Sequence, residues 1–218
     1  VGCPMSVYLN ANACKEFMHF IFPEGETVTI TVNGTTKRFV IGKVVVLPES
    51  SGVLFTDMTK FLGKTVGIID IGGLNANCTV MKNMSPVLSA TFTTNLGSNV
   101  MTEDLEKKLN TEFSVQIKGY QMDQILKDGF IKKDPEASAK LIHDYKLEHV
   151  KKILNEARAK GWDFDTMNVV FVGGTSLGLK KEILEVFPYI DESNITQNAA
   201  FANAEGFLRF LLGQTKTK

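Results

Sequence analysis

Three short segments combine residue types that do chemistry with spacings that permit it. Asp70-Ile71-Gly72-Gly73-Leu74-Asn75 ends an apolar run with a carboxylate and follows it with two glycines. A carboxylate in that place is costly to bury unless it is paired or held near a cation. The glycines allow a tight turn that exposes successive N–H groups, a cradle for phosphate oxygens, and the acid could hold a hydrated Mg²⁺. The same residues also fit a plain hairpin whose Asp caps the turn. Val169-Val170-Phe171-Val172-Gly173-Gly174-Thr175-Ser176-Leu177-Gly178 reads as a buried strand, a glycine turn and a helix start. It suits close approach of a planar or phosphorylated ligand, and equally a tight strand-to-helix loop with Ser176 as N-cap. Pro48-Glu49-Ser50-Ser51-Gly52 ends another apolar run. Its glutamate could orient a water for attack, or be an ordinary solvated loop residue.

A fourth segment is a false lead. Gly63-Lys64-Thr65 looks like the end of a phosphate-binding P-loop, but Met58 stands where the pattern needs its first glycine. The order is also reversed, because a P-loop follows a strand and opens a helix, whereas this tripeptide precedes a strand. Lys64 reads as a solvated turn residue.

The elements that must position these residues follow from periodicity. Residues 1–60 read as β-rich. Val28, Ile30 and Val32 alternate before Asn33-Gly34, and Phe39 and Ile41 alternate after it, which is a strong hairpin signal. The spacing to Phe39 suggests a slightly longer or bulged turn. Residues 44–47 form an apolar run that fits a buried strand ended by Pro48. Further strands are expected over residues 66–71, 78–81 and 87–92, joined by short connections and therefore as an antiparallel meander. A helix should open at Gly97-Ser98-Asn99, with Ser or Asn as N-cap, and run to about Asn110. Residues 113–132 carry no clear pattern. A long helix starts near Pro135, keeps a 3.6-residue apolar period through Ala157 and ends at Gly161. Then come a strand over residues 169–172, a helix from Ser176 to Phe187, a short strand near residues 194–197 and a last helix over residues 199–212. The pattern is that of an α/β layered domain.

Composition excludes several classes. The 218 residues carry 24 Lys+Arg against 24 Asp+Glu, a formal net charge of zero, without the basic excess of a direct nucleic-acid binder. No apolar run approaches the roughly 20 residues of a membrane helix. Three cysteines, Cys3, Cys14 and Cys78, lack paired spacing and suit reduced thiols in a cytoplasmic protein.

Taken together, an acid after one apolar strand, Asp-x-Gly-Gly after the next and a Gly-Gly turn after a third resemble the actin-like ATPase superfamily. Residues 70–73 are similar to its second phosphate loop and residues 169–178 to its adenosine motif. Ile41-Gly42-Lys43-Val44-Val45-Val46-Leu47-Pro48-Glu49-Ser50 resembles the catalytic-glutamate segment of the bacterial plasmid-segregation actins of the ParM type. The fold implied is an RNase H-like, actin-like ATPase domain with a mixed five-stranded sheet and flanking helices, plus a β-rich remnant of the first domain.

That resemblance implies Mg²⁺ with ATP or GTP in a cleft between two domains. Glu49 would position the attacking water and Asp70 would bind the metal. Gly72, Gly73 and Asn75 would face the phosphates, Gly97 and Ser98 the sugar, and Gly173, Gly174 and Thr175 the nucleoside. Relatives often carry Thr or another Gly where Leu74 and Asn75 stand, which leaves backbone contacts to the phosphates as the expected ones. The family's first phosphate loop, an Asp-x-Gly sequence, has no counterpart in residues 1–60, where the single aspartate is Asp57 followed by Met58 and Thr59. The expectation is therefore an N-terminally truncated chain. Residues 1–60, joined by the helix over 199–218, are the remnant of domain I, and residues 61–198 are domain II. Such a piece should bind nucleotide weakly or not at all and associate through an uncovered sheet edge. The intact protein is expected to be a polymerising ATPase or GTPase that drives plasmid DNA segregation through a DNA-binding adaptor. The alternatives are a non-polymerising kinase or ATPase of the same fold, and a binding-only module.

Overall fold

The computed structural model describes residues 1–22, 25–195 and 198–215. The chain divides into two units. One gathers Val1–Thr56 with Asn203 and the described residues after it, and the other is Asp57–Ala202.

The first unit begins with β1 (Gly2–Cys3), α1 (Met5–Tyr8) and α2 (Ala11–Ile21). Helix α2 corrects the β-rich reading of this stretch. Its signal is Asn10, whose side chain accepts hydrogen bonds from the N–H groups of Asn12 and Ala13 and so satisfies two of the donors a helix start leaves open. The hairpin follows as β2 (Thr27–Val32) and β3 (Thr35–Val40). Val32 pairs with Thr35, so the turn is the two-residue kind rather than the longer or bulged one expected. Asn33 and Gly34 have φ of 51° and 78°, which is the backbone that a tight turn between right-twisting strands requires.

Of the apolar run at residues 44–47, only the end is a strand: β4 (Leu47–Pro48), parallel to β1. A strand extends only as far as its partner, and β1 is two residues long, so Leu47 N donates to Val1 O and Glu49 N to Cys3 O. Pro48 lies inside this short pairing instead of ending it. Helix α3 (Val53–Thr56) and the chain's last helix, Ala202–Thr215, complete the unit. Gly52 N donates to Asn203 Oδ1 at 3.1 Å, and Phe55 packs on Phe210 with ring centroids 4.8 Å apart. The last helix starts three residues later than its apolar pattern suggested.

The second unit opens with α4 (Met58–Phe61), capped by Asp57, and a turn at Gly63 leads into β5 (Thr65–Ile71). The Gly-Lys-Thr tripeptide is thus a pre-strand turn. Then come β6 (Ala76–Lys82), β7 (Ser85–Pro86) and β8 (Phe92–Thr94), with a 3-10 turn at Leu88–Ala90 where a longer strand was expected. Thr91 Oγ1 bonds back to Val87 O, a local bond that competes with ladder pairing. Helices α5 (Ser98–Phe113), α6 (Gly119–Asp128) and α7 (Pro135–Ala159) precede β9 (Asn168–Val172), α8 (Gly174–Gly178) and α9 (Lys180–Val186).

The sheet is five-stranded, in the order β7-β6-β5-β9 with β8 also paired to β6. β5, β6, β7 and β8 pair antiparallel as the meander reading required, and β5 pairs parallel with β9. Near-continuous burial of β5 and β9 explains why they read as unbroken apolar runs. Ile69, Ile71, Val169 and Phe171 enter one core with Val150, Ile153 and Leu154 of α7. A second core joins the three helices α5, α6 and α7 through Leu105, Leu109, Met122 and Ile142. The patternless stretch before α6 is fastened by Asn110, which bonds both the N–H and the C=O of Ile117. Only a single bridge, Phe171 to Ile195, represents the strand expected near residues 194–197, and residues 196 and 197 lie outside the described residues.

Candidate functional site

The ends of β5 and β9 bring two of the chemical segments together. Ile71 pairs with Ala76, which leaves residues 72–75 as the turn of the β5–β6 hairpin, closed by Gly72 N donating to Asn75 O at 2.9 Å. Asp70 lies beside Asn77 on one flank and Val172 on the other. Side chains alternate along a strand. With Ile69 and Ile71 in the core, Asp70 therefore faces the opposite side of the sheet.

Gly173 follows directly. Its φ is +84° with ψ 147°, a region that is essentially glycine's alone. A β-carbon at that position would stand 2.6 Å from Asp70 Oδ1 and meet the carbonyl of Ile71. Thr175 Oγ1 donates to Gly72 O at 3.3 Å, which ties the β9–α8 turn to the hairpin turn. Gly173 is the residue that precedes α8, and Ser176 is inside it with its hydroxyl bonded to Val172 O. The N-cap role expected of Ser176 is thereby corrected. The glycine is required there by its positive φ and because a β-carbon would run into the backbone oxygen of Ile71.

The start of α5 rests on the same hairpin turn. Ser98 N donates to Gly72 O and Asn99 N to Gly73 O, both at 2.9 Å. The N-cap is Gly97 and makes no side-chain cap, not Ser or Asn as the sequence suggested. A β-carbon on Gly97 would sit 2.5 Å from Asn75 N and against Gly73 O, so the close approach excludes the usual capping residues. The first N–H groups of α5 are thus satisfied by carbonyls of the turn.

Other donors remain available. Among the described residues, the N–H groups of Gly73, Leu74 and Asn75, and those of Gly174 and Thr175, donate to no protein acceptor. Polar groups left this way seek an external acceptor. The Leu74 side chain is 78% exposed and takes no part in a polar contact.

Beside these turns lies a cavity of about 350 Å³ that includes Ser98, Met101, Lys146, Gly174, Thr175 and Leu179 in its lining. Three expected binding residues, Ser98, Gly174 and Thr175, therefore meet in one place. Asp123, Leu126 and Lys127 of α6 also line it. Sequence reading missed these because α6 fell in the patternless stretch. Its one signal was Gly129, which ends the helix with φ +80°. Helix α7 backs the cavity: Lys146 Nζ donates to Gly178 O at 3.4 Å, and His149 Nε2 lies 3.1 Å from Leu96 O. Burial holds the His149 imidazolium below the ordinary histidine range, against the opposing effect of its bond to Leu96. Glu49, expected to position water, belongs to the other unit.

Among the described residues no group of three or more His, Cys, Asp or Glu could hold an ion. The single carboxylate of Asp70 would suit a hydrated Mg²⁺ that keeps most of its waters. Among the described residues no helix is long and apolar enough to cross a membrane.

A family model, archaeal actin homologue MreB-like, C-terminal, matches residues 68–185. No curated protein sequence matches the chain. Among similar solved structures is the archaeal actin homologue Ta0583 in complex with ADP, at 20% identity and TM-score 0.69, covering 98% of this chain and 70% of that one. The Alp12 filament is 26% identical with TM-score 0.75, covering 98% and 67%. A 15-stranded ParM filament from Clostridium botulinum is 17% identical with TM-score 0.68, covering 96% and 64%. At these identities the likeness carries the fold, which is the actin-like one.

Proposed function

The chain belongs to the archaeal MreB-like actin homologue family, whose C-terminal model spans more than half of it. On that premise we propose that it belongs to a nucleotide-dependent polymerising protein of the cytoplasm that, when intact, binds ATP or GTP with Mg²⁺, hydrolyses it, and drives plasmid DNA segregation through a DNA-binding adaptor. The observation that carries the nucleotide reading is the set of N–H groups at Gly73, Leu74, Asn75, Gly174 and Thr175 that have no acceptor among the described residues, the last two of which line a cavity of about 350 Å³. Backbone donors of this kind hold phosphate oxygens, and a cavity of this size, roughly the 300–1,000 Å³ of small-molecule sites, admits a nucleoside.

Each residue has a stated task in this reading. The turn at Gly72, Gly73 and Asn75 orients the phosphates through its backbone. Ser98 and Gly97 meet the sugar, and Gly173, Gly174 and Thr175 let the nucleoside approach closely. Asp70 holds the hydrated Mg²⁺, which when bound neutralises charge on the phosphates. Glu49 keeps the role the resemblance implies, positioning the attacking water. Phosphoryl transfer of this type relies on positioning and charge stabilisation.

Self-association into filaments is supported by the filament structures of Alp12 and of ParM from Clostridium botulinum. A filament requires a repeated head-to-tail contact that does not close. The ADP complex of Ta0583 supports nucleotide binding in the same way.

Amide spectra recorded during titration with ATP·Mg²⁺ and GTP·Mg²⁺ test the reading. The resonances of Gly73, Leu74, Asn75, Gly174 and Thr175 should shift while those of the second helical core stay still. Unmoved turn amides at saturating nucleotide would overturn it. Sedimentation with and without nucleotide separates a polymer from a non-polymerising enzyme, and phosphate release separates either from a binding-only module.

A further inference from the structure

We propose that His149 is a positioning residue for the cavity, acting through the backbone of Leu96. The proposal rests on the nucleotide reading for its functional consequence and on geometry alone for its mechanism.

Helix α7 carries His143, Lys146 and His149 at three-residue spacing, so the three lie along one side of it. Each holds a different piece of chain. His149 Nε2 lies 3.1 Å from Leu96 O. Lys146 Nζ reaches Gly178 O at 3.4 Å. His143 Nδ1 lies 3.0 Å from Glu182 Oε1, and its Nε2 lies 2.9 Å from Glu185 Oε2. The last two contacts fix α8 and α9, so that Gly178 at the end of α8 and Leu179 between the two helices form one wall of the cavity. The first fixes the residue before Gly97, and so the start of α5, which supplies Ser98 and Met101 to the facing wall. One rigid helix thus sets the distance between the two walls.

Of the three α7 residues only His149 is itself buried, being 5% exposed. Leu96 O can only accept, so Nε2 carries the proton and donates it. What it holds is consequential. Leu96 leads into Gly97, and Ser98 N and Asn99 N are bonded to Gly72 O and Gly73 O at 2.9 Å. The imidazole therefore steadies, through one carbonyl, the loop that lies on the hairpin turn. Loss of a buried donor leaves that carbonyl unsatisfied, and the loop is then free to lift from the turn.

Two variants separate this role from packing. H149F keeps a ring and removes the donor. H149Q places an amide N–H near the position of Nε2. In the ligand-free protein, amide hydrogen exchange at Ser98 and Asn99 should be roughly tenfold faster in H149F than in wild type, as expected for loss of one buried bond. Exchange at Thr79 in β6 should be unchanged, and H149Q should restore wild-type rates. Unaltered exchange at Ser98 and Asn99 in H149F, an equal rise at all amides, or a failure of H149Q to rescue would each overturn the proposal. Titration with ATP·Mg²⁺ and GTP·Mg²⁺ then reads the consequence. Wild type binding nucleotide while H149F binds equally well would also overturn it. Wild type binding no nucleotide would defeat the functional reading alone, and the exchange rates would decide the positioning role.

Discussion

Gly173 is seated directly against Asp70, so that a β-carbon on the glycine would stand 2.6 Å from the carboxylate Oδ1. Asp70 lies in β5, where it pairs with Val172, and Gly173 directly follows that residue at the end of β9. The acid of one motif and the glycine of the other are thus a single piece of structure. The glycine leaves the acid room beside the turn, and the backbone oxygen of Ile71, closer still to the same β-carbon, closes that space to any side chain.

Gly173→Ala should therefore destabilise the protein by about 2–4 kcal/mol, combining a glycine-only backbone conformation with a core clash. Gly174→Ala is the control, because its β-carbon would meet nothing nearer than Ala200 Cβ at 3.9 Å. Urea unfolding of both variants checks this. A loss in Gly173→Ala no larger than in Gly174→Ala would contradict the geometry.

Glu49→Ala tests the proposed chemistry. In the intact protein nucleotide affinity should stay within about twofold, while phosphate release falls by about 10²-fold, the lower end of what a positioned group of this kind contributes. Equal hydrolysis by variant and wild type would remove Glu49 from its role.

Stability should depend on pH through His149. Its folded-state pKa lies below the ordinary 6.5, first because of burial and then because of the charge of Lys152, with the bond to Leu96 opposing. The folded state consequently binds fewer protons than the unfolded state in this range, so stability rises with pH there. The contribution is fully present above about 6.5 and is lost as pH falls from there through the lowered folded value. H149Q, which has no titrating group, should show a flatter profile between pH 7 and 5. Parallel profiles for H149Q and wild type in chemical denaturation would refute the assignment.

Cysteine reactivity should be uneven. Cys78 is 0% exposed, and burial, followed by the charges of Glu156 and Asp70, pushes its thiol up to about 12. Relative to an ordinary thiol at 9.0, the thiolate fraction at pH 8 drops roughly 10³-fold. Iodoacetamide at pH 8 should spare Cys78 in the native protein and modify it in denaturant, as read by mass spectrometry. The half-buried Cys14 should react first. Prompt native alkylation of Cys78 would show that the strand opens readily.

Much of the fold and part of the site were legible from local physics. Asn33-Gly34 between alternating runs specified a hairpin, because two positive-φ residues make the tight turn whatever the rest of the chain does. Pro135 and Gly161 bracketed α7 through their own backbone preferences. Asp70 and the glycine pairs at residues 72–73 and 173–174 marked the turns, since an acid ending an apolar strand and paired glycines are unusual wherever they occur.

Tertiary structure alone decided the rest, and in each case the deciding partner is distant in the chain. Residues 44–47 are apolar enough for a strand, but a ladder reaches only as far as its neighbour, and β1 supplies two residues. Ser98 and Ser176 are good caps by type. Gly97 and Gly173 nevertheless precede the two helices, because the backbones of residues 71–75 come too close for any side chain. The cavity walls of α6 lay in a stretch with no readable period. His149 and Leu96 are 53 positions apart, and no spacing rule relates them. Turn chemistry and periodicity act over a few residues and are written in the sequence. Close approach, strand pairing and the meeting of donors with acceptors exist only once the cores have packed.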